Sequence, residues 1–373
     1  MNFEFSDEQN LIRDQASGFL AENCSPDVVR QVLDGEELYA ADLWQKIVEM
    51  GWTATVIPEE YGGLGLGYLE LVVIAEELGK TCAPVPFGSS VFLATEAILA
   101  AGSDAQKEEW LPKFAAGEVI GTLAYAEGGG QTTAADLTTT VTDGKISGSK
   151  TVVADAQIAQ LMIVAARSDK GDGASLYVVP MAQDGVSCEH VHTLDPTSNH
   201  ANVSFDGADA DLLGEDGAGW TVLQALLDRA AVLYAWEQLG GAETCLIEAK
   251  EYAMGRYAFG RPIASYQAIK HKLADMYVYN TLARSNAYFG AWALNTNAPE
   301  LPLAAATARV GSTQAYYYAS KENIQTHGGM GYTWEFDCQF YYRRSKVLSV
   351  NIGSEGLWQQ KLLDASELAD DAA

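Results

Sequence analysis

Apolar positions fall three and four residues apart at the start of the chain, give way to short runs between turns, and then return to helical spacing. Leu11, Ile12, Ala16, Phe19 and Leu20 share one helical stripe. Ser6-Asp-Glu-Gln9 in front of them reads as a capping box. The pattern breaks at Gly62-Gly-Leu-Gly-Leu-Gly67 and resumes from Tyr68 to Leu78. Between Gly121 and Gly219 the runs Ile120–Tyr125, Leu161–Ala165 and Leu176–Val179 predict strands, with turns at Asp143-Gly144 and Asp184-Gly185. Helical spacing then covers Trp220–Arg256, Ser265–Asn295 and Leu303–Gln325, and a final segment follows Ser354. Pro262 and Pro299-Glu-Leu-Pro302 mark the breaks. The expected fold is mainly α with a central β domain. It comprises an N-terminal helical domain over 1–120, a β-barrel-like domain over 121–219 and a C-terminal four-helix bundle over 220–373.

The 373 residues are 48% apolar, enough for large cores. No apolar run reaches the roughly 20 residues that span a bilayer. The acidic start Met1-Asn-Phe-Glu-Phe-Ser6 does not resemble a signal peptide. The formal net charge of -27 argues against nucleic acid or an anionic membrane as partner, and gives no general attraction for an anionic ligand. Cys24, Cys82, Cys188, Cys245 and Cys338 are scattered, without a CxxC pair, which fits a reducing cytoplasm. His190, His192 and His200 lack a carboxylate or cysteine at ligand spacing, so no metal is expected. The glycine run at 62–67 has Tyr68 where a G-x-G-x-x-G fingerprint needs its last glycine, and reads as a loop.

Two segments carry more chemistry. Arg256-Tyr-Ala-Phe-Gly-Arg-Pro-Ile263 is followed by Tyr266-Gln267 and Leu273-Ala-Asp-Met276, and Gln325-Thr-His-Gly-Gly-Met-Gly-Tyr332 lies downstream. Taken singly, Arg256 could be a helix-end cation and Gly328-Gly329 a helix C-cap. With Gly51-Trp52, Pro58-Glu-Glu-Tyr-Gly-Gly63 and Glu76-Glu-Leu-Gly79, they resemble the acyl-CoA dehydrogenase family over essentially the whole chain. The resemblance implies that Arg256 pairs with the FAD pyrophosphate of a neighbouring subunit, a task suited to a permanently charged, forked guanidinium. It implies that Phe259, Ile263 and Tyr266 pack beside that cofactor. Gln325 and the backbone of Gly328 and Gly329 would meet its adenosine end, where glycine permits close approach.

The departures lie elsewhere. The family's Thr-Glu-Pro-x-x-Gly-Ser-Asp loop corresponds to Ala126-Glu-Gly-Gly-Gly-Gln-Thr-Thr133, which keeps only Glu127. Its Lys-x-Trp-Ile-Thr pattern reads Lys150-Thr-Val-Val-Ala154, so Val152 replaces the ring cover and Ala154 replaces the hydroxyl that hydrogen-bonds flavin N5. The glutamate before Gly-Thr or Gly-Ser corresponds to Ile352, which cannot remove a proton. Glu355, beyond Gly353-Ser354, lies on a different face. The family's alternative glutamate-arginine pair reads Asp228-Arg229 here, one methylene short.

The resemblance therefore implies the non-catalytic subunit of a heteromeric α2β2 bacterial acyl-CoA dehydrogenase. A second acyl-CoA dehydrogenase subunit would supply the base and hold most of the acyl-CoA. The substrate could be a steroid-derived thioester, and electrons would pass to an electron-transferring flavoprotein. Three alternatives stand beside it: a homotetramer using Asp228 as base, a flavin-dependent relative with different chemistry, and a flavin-free structural or regulatory member.

Overall fold

The computed structural model describes residues 5–35, 37–169 and 173–371; the acidic start at 1–4 lies outside them. Helices α1 (Asp7–Asn23), α2 (Pro26–Leu33), α3 (Ala41–Glu49), α4 (Tyr68–Lys80), α5 (Glu96–Ala101) and α6 (Asp104–Ala115) precede the sheet. The capping box forms as the sequence predicts. The Ser6 hydroxyl accepts from the Gln9 amide at 3.2 Å and Gln9 Oε1 accepts from the Ser6 amide at 2.9 Å.

The sheet strands are β1 (Gly121–Ala124), β2 (Thr140–Thr142), β3 (Lys145–Ala154), β4 (Leu161–Ser168), β5 (Ala174–Pro180), β6 (Val186–His190), β7 (His200–Asp209) and β8 (Asp211–Leu213). They are ordered β6-β7-β3-β2-β4-β5-β8, with β1 parallel to β4. Asp143 and Gly144 both take positive φ, 49° and 75°, and turn β2 into β3 as a tight two-residue hairpin loop. Val141, Ile146, Met162, Val164, Val179, Val203 and Phe205 fill the sheet's apolar core.

Five further helices follow: α7 (Gly219–Gly255), α8 (Gln267–Asn295), α9 (Leu301–His327), α10 (Cys338–Leu348) and α11 (Glu355–Asp371). Sequence periodicity anticipates all but α10, an eleven-residue helix that buries Arg344 and Ser345 beside Cys338, Phe340, Tyr341, Val347 and Leu348. A short hairpin, β9 (Tyr257–Ala258) with β10 (Arg261–Pro262), separates α7 from α8.

The chain packs into two compact units. One comprises residues 1–30, 68–83 and 231–373; the other comprises 31–67 and 84–230. In the first, α4 lies against α7 so closely that a Cβ on Gly79 would fall 1.9 Å from the Glu237 carbonyl, and one on Gly240 2.0 Å from that of Glu76. In the second, the loop at 62–67 is glycine-rich for an internal reason. Gly62 sits at φ 80°, and a Cβ on Gly63 would lie 1.9 Å from the Ile57 carbonyl. Among the described residues no helix is long and apolar enough to cross a membrane, and no cluster of metal-ligating side chains forms. His190 Nδ1 instead meets Gln157 Oε1 at 2.9 Å, and His200 Nδ1 meets the Ser198 carbonyl at 2.8 Å.

Candidate functional site

In the first unit, Glu248 and Tyr252 lie four residues apart near the end of α7, and Arg256 follows at the same spacing just past it, its amide donating to the Tyr252 carbonyl at 2.8 Å. Asn323 and His327 lie at the same spacing at the end of α9. The His327 ring lies over that of Tyr252, with centroids 4.1 Å apart, and the Tyr252 hydroxyl donates to Met330 Sδ at 3.8 Å. The ends of α7 and α9 are thereby joined. Motifs some seventy residues apart in sequence meet at one place.

Arg256 is exposed, and no side chain among the described residues pairs with it. Its carbonyl accepts the Ile263 amide at 2.8 Å, which closes the base of the β9–β10 hairpin. Phe259 and Gly260, at φ 53° and 80°, form the hairpin tip. An aromatic residue with positive φ is unusual, and this one is 97% exposed. Ile263 and Tyr266 are half-buried and brace the hairpin from behind. The Tyr266 hydroxyl donates to the Ala258 carbonyl at 2.9 Å, and the Arg261 guanidinium lies over the Tyr266 ring at 4.0 Å.

Gln325 is exposed on the last turn of α9. Gly328, at φ 64°, caps that helix, so its glycine has a local reason. Gly329 has none: its φ is not positive, and a Cβ there would meet nothing within 4 Å. Tyr332 and Trp334 stand exposed beyond it. An unpaired guanidinium, an open glycine turn and protruding aromatic rings suit a phosphate- and ring-bearing group such as FAD.

The second unit presents the opposite picture. β3 bulges against β7 between Lys150 and Val153. Val152 at the bulge has φ 53° and is 52% exposed, a strained setting for a β-branched residue. Its amide donates to Asn202 Oδ1 at 3.1 Å. Ala154 follows, with only a methyl group, and its carbonyl is occupied by Thr122 Oγ1 at 2.6 Å. No ring cover and no side-chain donor are present at these two positions.

Glu127, the one residue kept from the family loop, is engaged internally. Its carboxylate takes Lys150 Nζ at 2.5 Å, the Thr138 amide and hydroxyl at 2.6 Å each, and the Thr139 amide at 3.1 Å. Burial raises its pKa, but these donors outweigh burial and bring it to about 2. Lys150 is fully buried. This pair was not anticipated from the sequence. Its members are 23 residues apart, on a loop and a strand, and no spacing rule links them.

Ile352 is 0% exposed between α10 and α11, and its carbonyl accepts from Trp358 Nε1 at 3.2 Å. The Arg309 guanidinium bonds the Leu348 carbonyl and, at 2.7 Å, Asn351 Oδ1, so the loop carrying Ile352 is held as core structure. Glu355 instead bonds Gln314 Nε2 at 2.8 Å and Gln359 Nε2 at 3.0 Å. Asp228 is buried in the N-terminal part of α7, in the second unit. Its neighbour Arg229 reaches Glu96 at 2.8 Å.

Residues 6–118 match the acyl-CoA dehydrogenase N-terminal domain and residues 217–362 the C-terminal domain. The chain belongs to the acyl-CoA dehydrogenase family. It is 33% identical to the acyl-CoA dehydrogenase IpdE2 of Mycolicibacterium smegmatis, over 91% of this chain and 93% of that protein. Among solved structures it resembles the ChsE4–ChsE5 complex from Mycobacterium tuberculosis, at 26% identity and TM-score 0.89 over 99% of each chain. It also resembles a variant of the Tcur3481–Tcur3483 steroid ACAD, at 27% identity and TM-score 0.87 over 98% of this chain and 99% of that one.

Proposed function

We propose that this chain is the non-catalytic subunit of a heteromeric, FAD-dependent acyl-CoA dehydrogenase. The observation that carries the reading is a contrast. Arg256, Phe259, Gln325 and Gly329 are exposed, while Val152, Ala154 and Ile352 cannot do what an own-flavin site requires. Both sets follow if the clasp serves a cofactor held mainly by another subunit.

In this arrangement Arg256 neutralises the pyrophosphate, Phe259, Ile263 and Tyr266 pack beside the cofactor, and Gln325 with the Gly328–Gly329 backbone takes the adenosine end. FAD supplies the hydride acceptor for α,β-dehydrogenation of an acyl-CoA thioester. The partner's carboxylate removes the α proton and the partner holds most of the substrate. Similarity to a two-protein complex and to a steroid ACAD supports an α2β2 assembly acting on a steroid-derived thioester. A shallow groove on α7 and α8, lined by Leu246, Ile247, Leu273 and Tyr277, adds exposed apolar surface suited to a partner. The five free cysteines fit a cytoplasmic setting, and an electron-transferring flavoprotein is the expected oxidant of the complex.

The reading is tested by flavin content. The chain produced alone is expected to purify nearly colourless, and the co-produced complex to hold one FAD per pair of unlike subunits. Stoichiometric FAD in the lone chain would overturn it. A second test addresses Asp228. If the partner holds the base, Asp228→Asn in the complex leaves turnover with an artificial acceptor within about two-fold. Loss of a working general base costs on the order of 100- to 10,000-fold, so a collapse with FAD still bound would make Asp228 that base.

A further inference from the structure

Glu248 sits behind the clasp, two helical turns before Arg256. Its Oε2 accepts from Asn323 Nδ2 at 2.7 Å. Asn323 in turn offers its backbone carbonyl to His327 Nδ1 at 2.9 Å, and His327 lies over Tyr252. Glu248 and Tyr252 thus form one row on α7, and Asn323 and His327 the facing row on α9. The Arg256 hairpin continues the first row and the Gly328–Gly329 turn continues the second. Below the Tyr252–His327 stack, the Glu248–Asn323 bond is the polar tie between these rows.

We propose that Glu248 is a positioning residue that, as a neutral carboxylic acid, ties α7 to α9 through Asn323 and sets the two halves of the clasp in register. The inference rests on the cofactor reading above. The Oδ1 of Asn323 is buried and has no donor among the described residues. A carboxylate has no hydrogen to offer it, whereas a carboxylic acid has one O–H. Protonated Glu248 thus has an O–H to offer that oxygen besides the bond it accepts, whereas ionised Glu248 can only accept.

The surroundings agree. Among the described residues no cation pairs with Glu248. It faces Cys245 and Glu251 on its own helix, Asn323 on α9, Asp337 before α10, and Cys338 and Tyr341 on α10. Asp337 is itself bound by Arg30. Burial raises the Glu248 pKa; the Asn323 bond offsets part of this, the charges of Asp337 and Glu251 add to it, and the result is about 7. Burial lowers the pKa of His327.

An acid whose pKa is raised in the ordered state favours that state fully below its ordinary value, about 4.3. The advantage is lost as pH rises through about 7 and is constant beyond. Ordering of the clasp, and hence FAD retention, should weaken between pH 5.5 and 7.5 and then level off.

The experiment compares wild type, Glu248→Gln and Asn323→Ala. Glutamine keeps an acceptor and supplies a permanent donor, so it mimics the neutral acid. FAD release is followed from the co-produced complex, and hydrogen exchange over 324–332 and 256–266, corrected for intrinsic rates, from the lone chain. Wild type is expected to release FAD about ten-fold faster at pH 7.5 than at 5.5, one unit of proton linkage. Glu248→Gln should release it at the slow rate throughout, and Asn323→Ala at the fast rate throughout. His327 is present in all three proteins, so its titration cancels in the comparison. Coincident pH profiles for wild type and Glu248→Gln would overturn the proposal. If the exchange difference appears but no assembly holds FAD, the tie between the rows stands and the cofactor reading falls.

Discussion

Replacing Lys150 by methionine is expected to destabilise the sheet-bearing unit by about 3–5 kcal/mol, the usual cost of removing one partner from a buried ion pair. Methionine fills much of the space and removes only the charge. Glu127 would then keep the Thr138 and Thr139 donors but lose the cation it pairs with. The measurement is denaturant unfolding at pH 7, followed by a probe in the sheet, since a chain of two units need not unfold in one step. Adding Glu127→Gln should recover a large part of the loss, because the double variant leaves no charge buried. An acid titration gives a second check. The Glu127 pKa is depressed to about 2, so its stabilisation is complete above the ordinary carboxyl value and disappears as pH falls towards 2. Wild type should therefore lose its lead over Lys150→Met under acid. A change below about 1 kcal/mol at pH 7 would mean that the pair is not held together as described.

The pair also explains why one family residue persists where its loop does not. Glu127 anchors the chain at Thr138 and Thr139 to β3, just before the bulge at Val152. That structural task does not depend on a bound flavin. Retention of Glu127 is thus weak support for a working flavin site in this unit.

Local chemistry was legible in the sequence wherever a single element decides it. The Ser6 capping box, the Asp143-Gly144 hairpin and the long helices around Asn280 and Ser312 follow from spacing and turn residues. At position 352 the sequence shows only that isoleucine cannot remove a proton; its full burial is visible in the structure alone. Contacts between distant segments were not legible. Nothing in the periodicity of α4 says that Gly79 must meet Glu237, or that residues 1–30 and 68–83 join the C-terminal helices in one unit. Glu248 was missed for a related reason. Its four-residue spacing to Tyr252 and Arg256 was readable, but a glutamate on a helix is ordinarily solvated. Only the facing Asn323 and His327 make it unusual.

Arg256→Ala is expected to weaken FAD retention by the complex about 10- to 150-fold while leaving the fold intact. The range corresponds to a charge-assisted bond to phosphate, worth roughly 1.5–3 kcal/mol. Folding should not suffer, because the side chain is exposed and pairs with no described residue, and the hairpin is closed by the Arg256 carbonyl. Arg256→Lys should recover only part of the affinity, since an ammonium restores the charge but lacks the fork. Rising salt should narrow the gap between wild type and Arg256→Ala if the pyrophosphate stays partly solvated. Phe259→Ala provides a control at the same hairpin. It removes the most exposed ring in the clasp without changing charge, so its effect on FAD should be insensitive to salt. The pair of variants separates two roles that the exposed surface alone leaves combined, charge neutralisation and packing. Unchanged FAD affinity in Arg256→Ala, with the hairpin intact, would place the guanidinium away from the cofactor and remove the main support for a shared site.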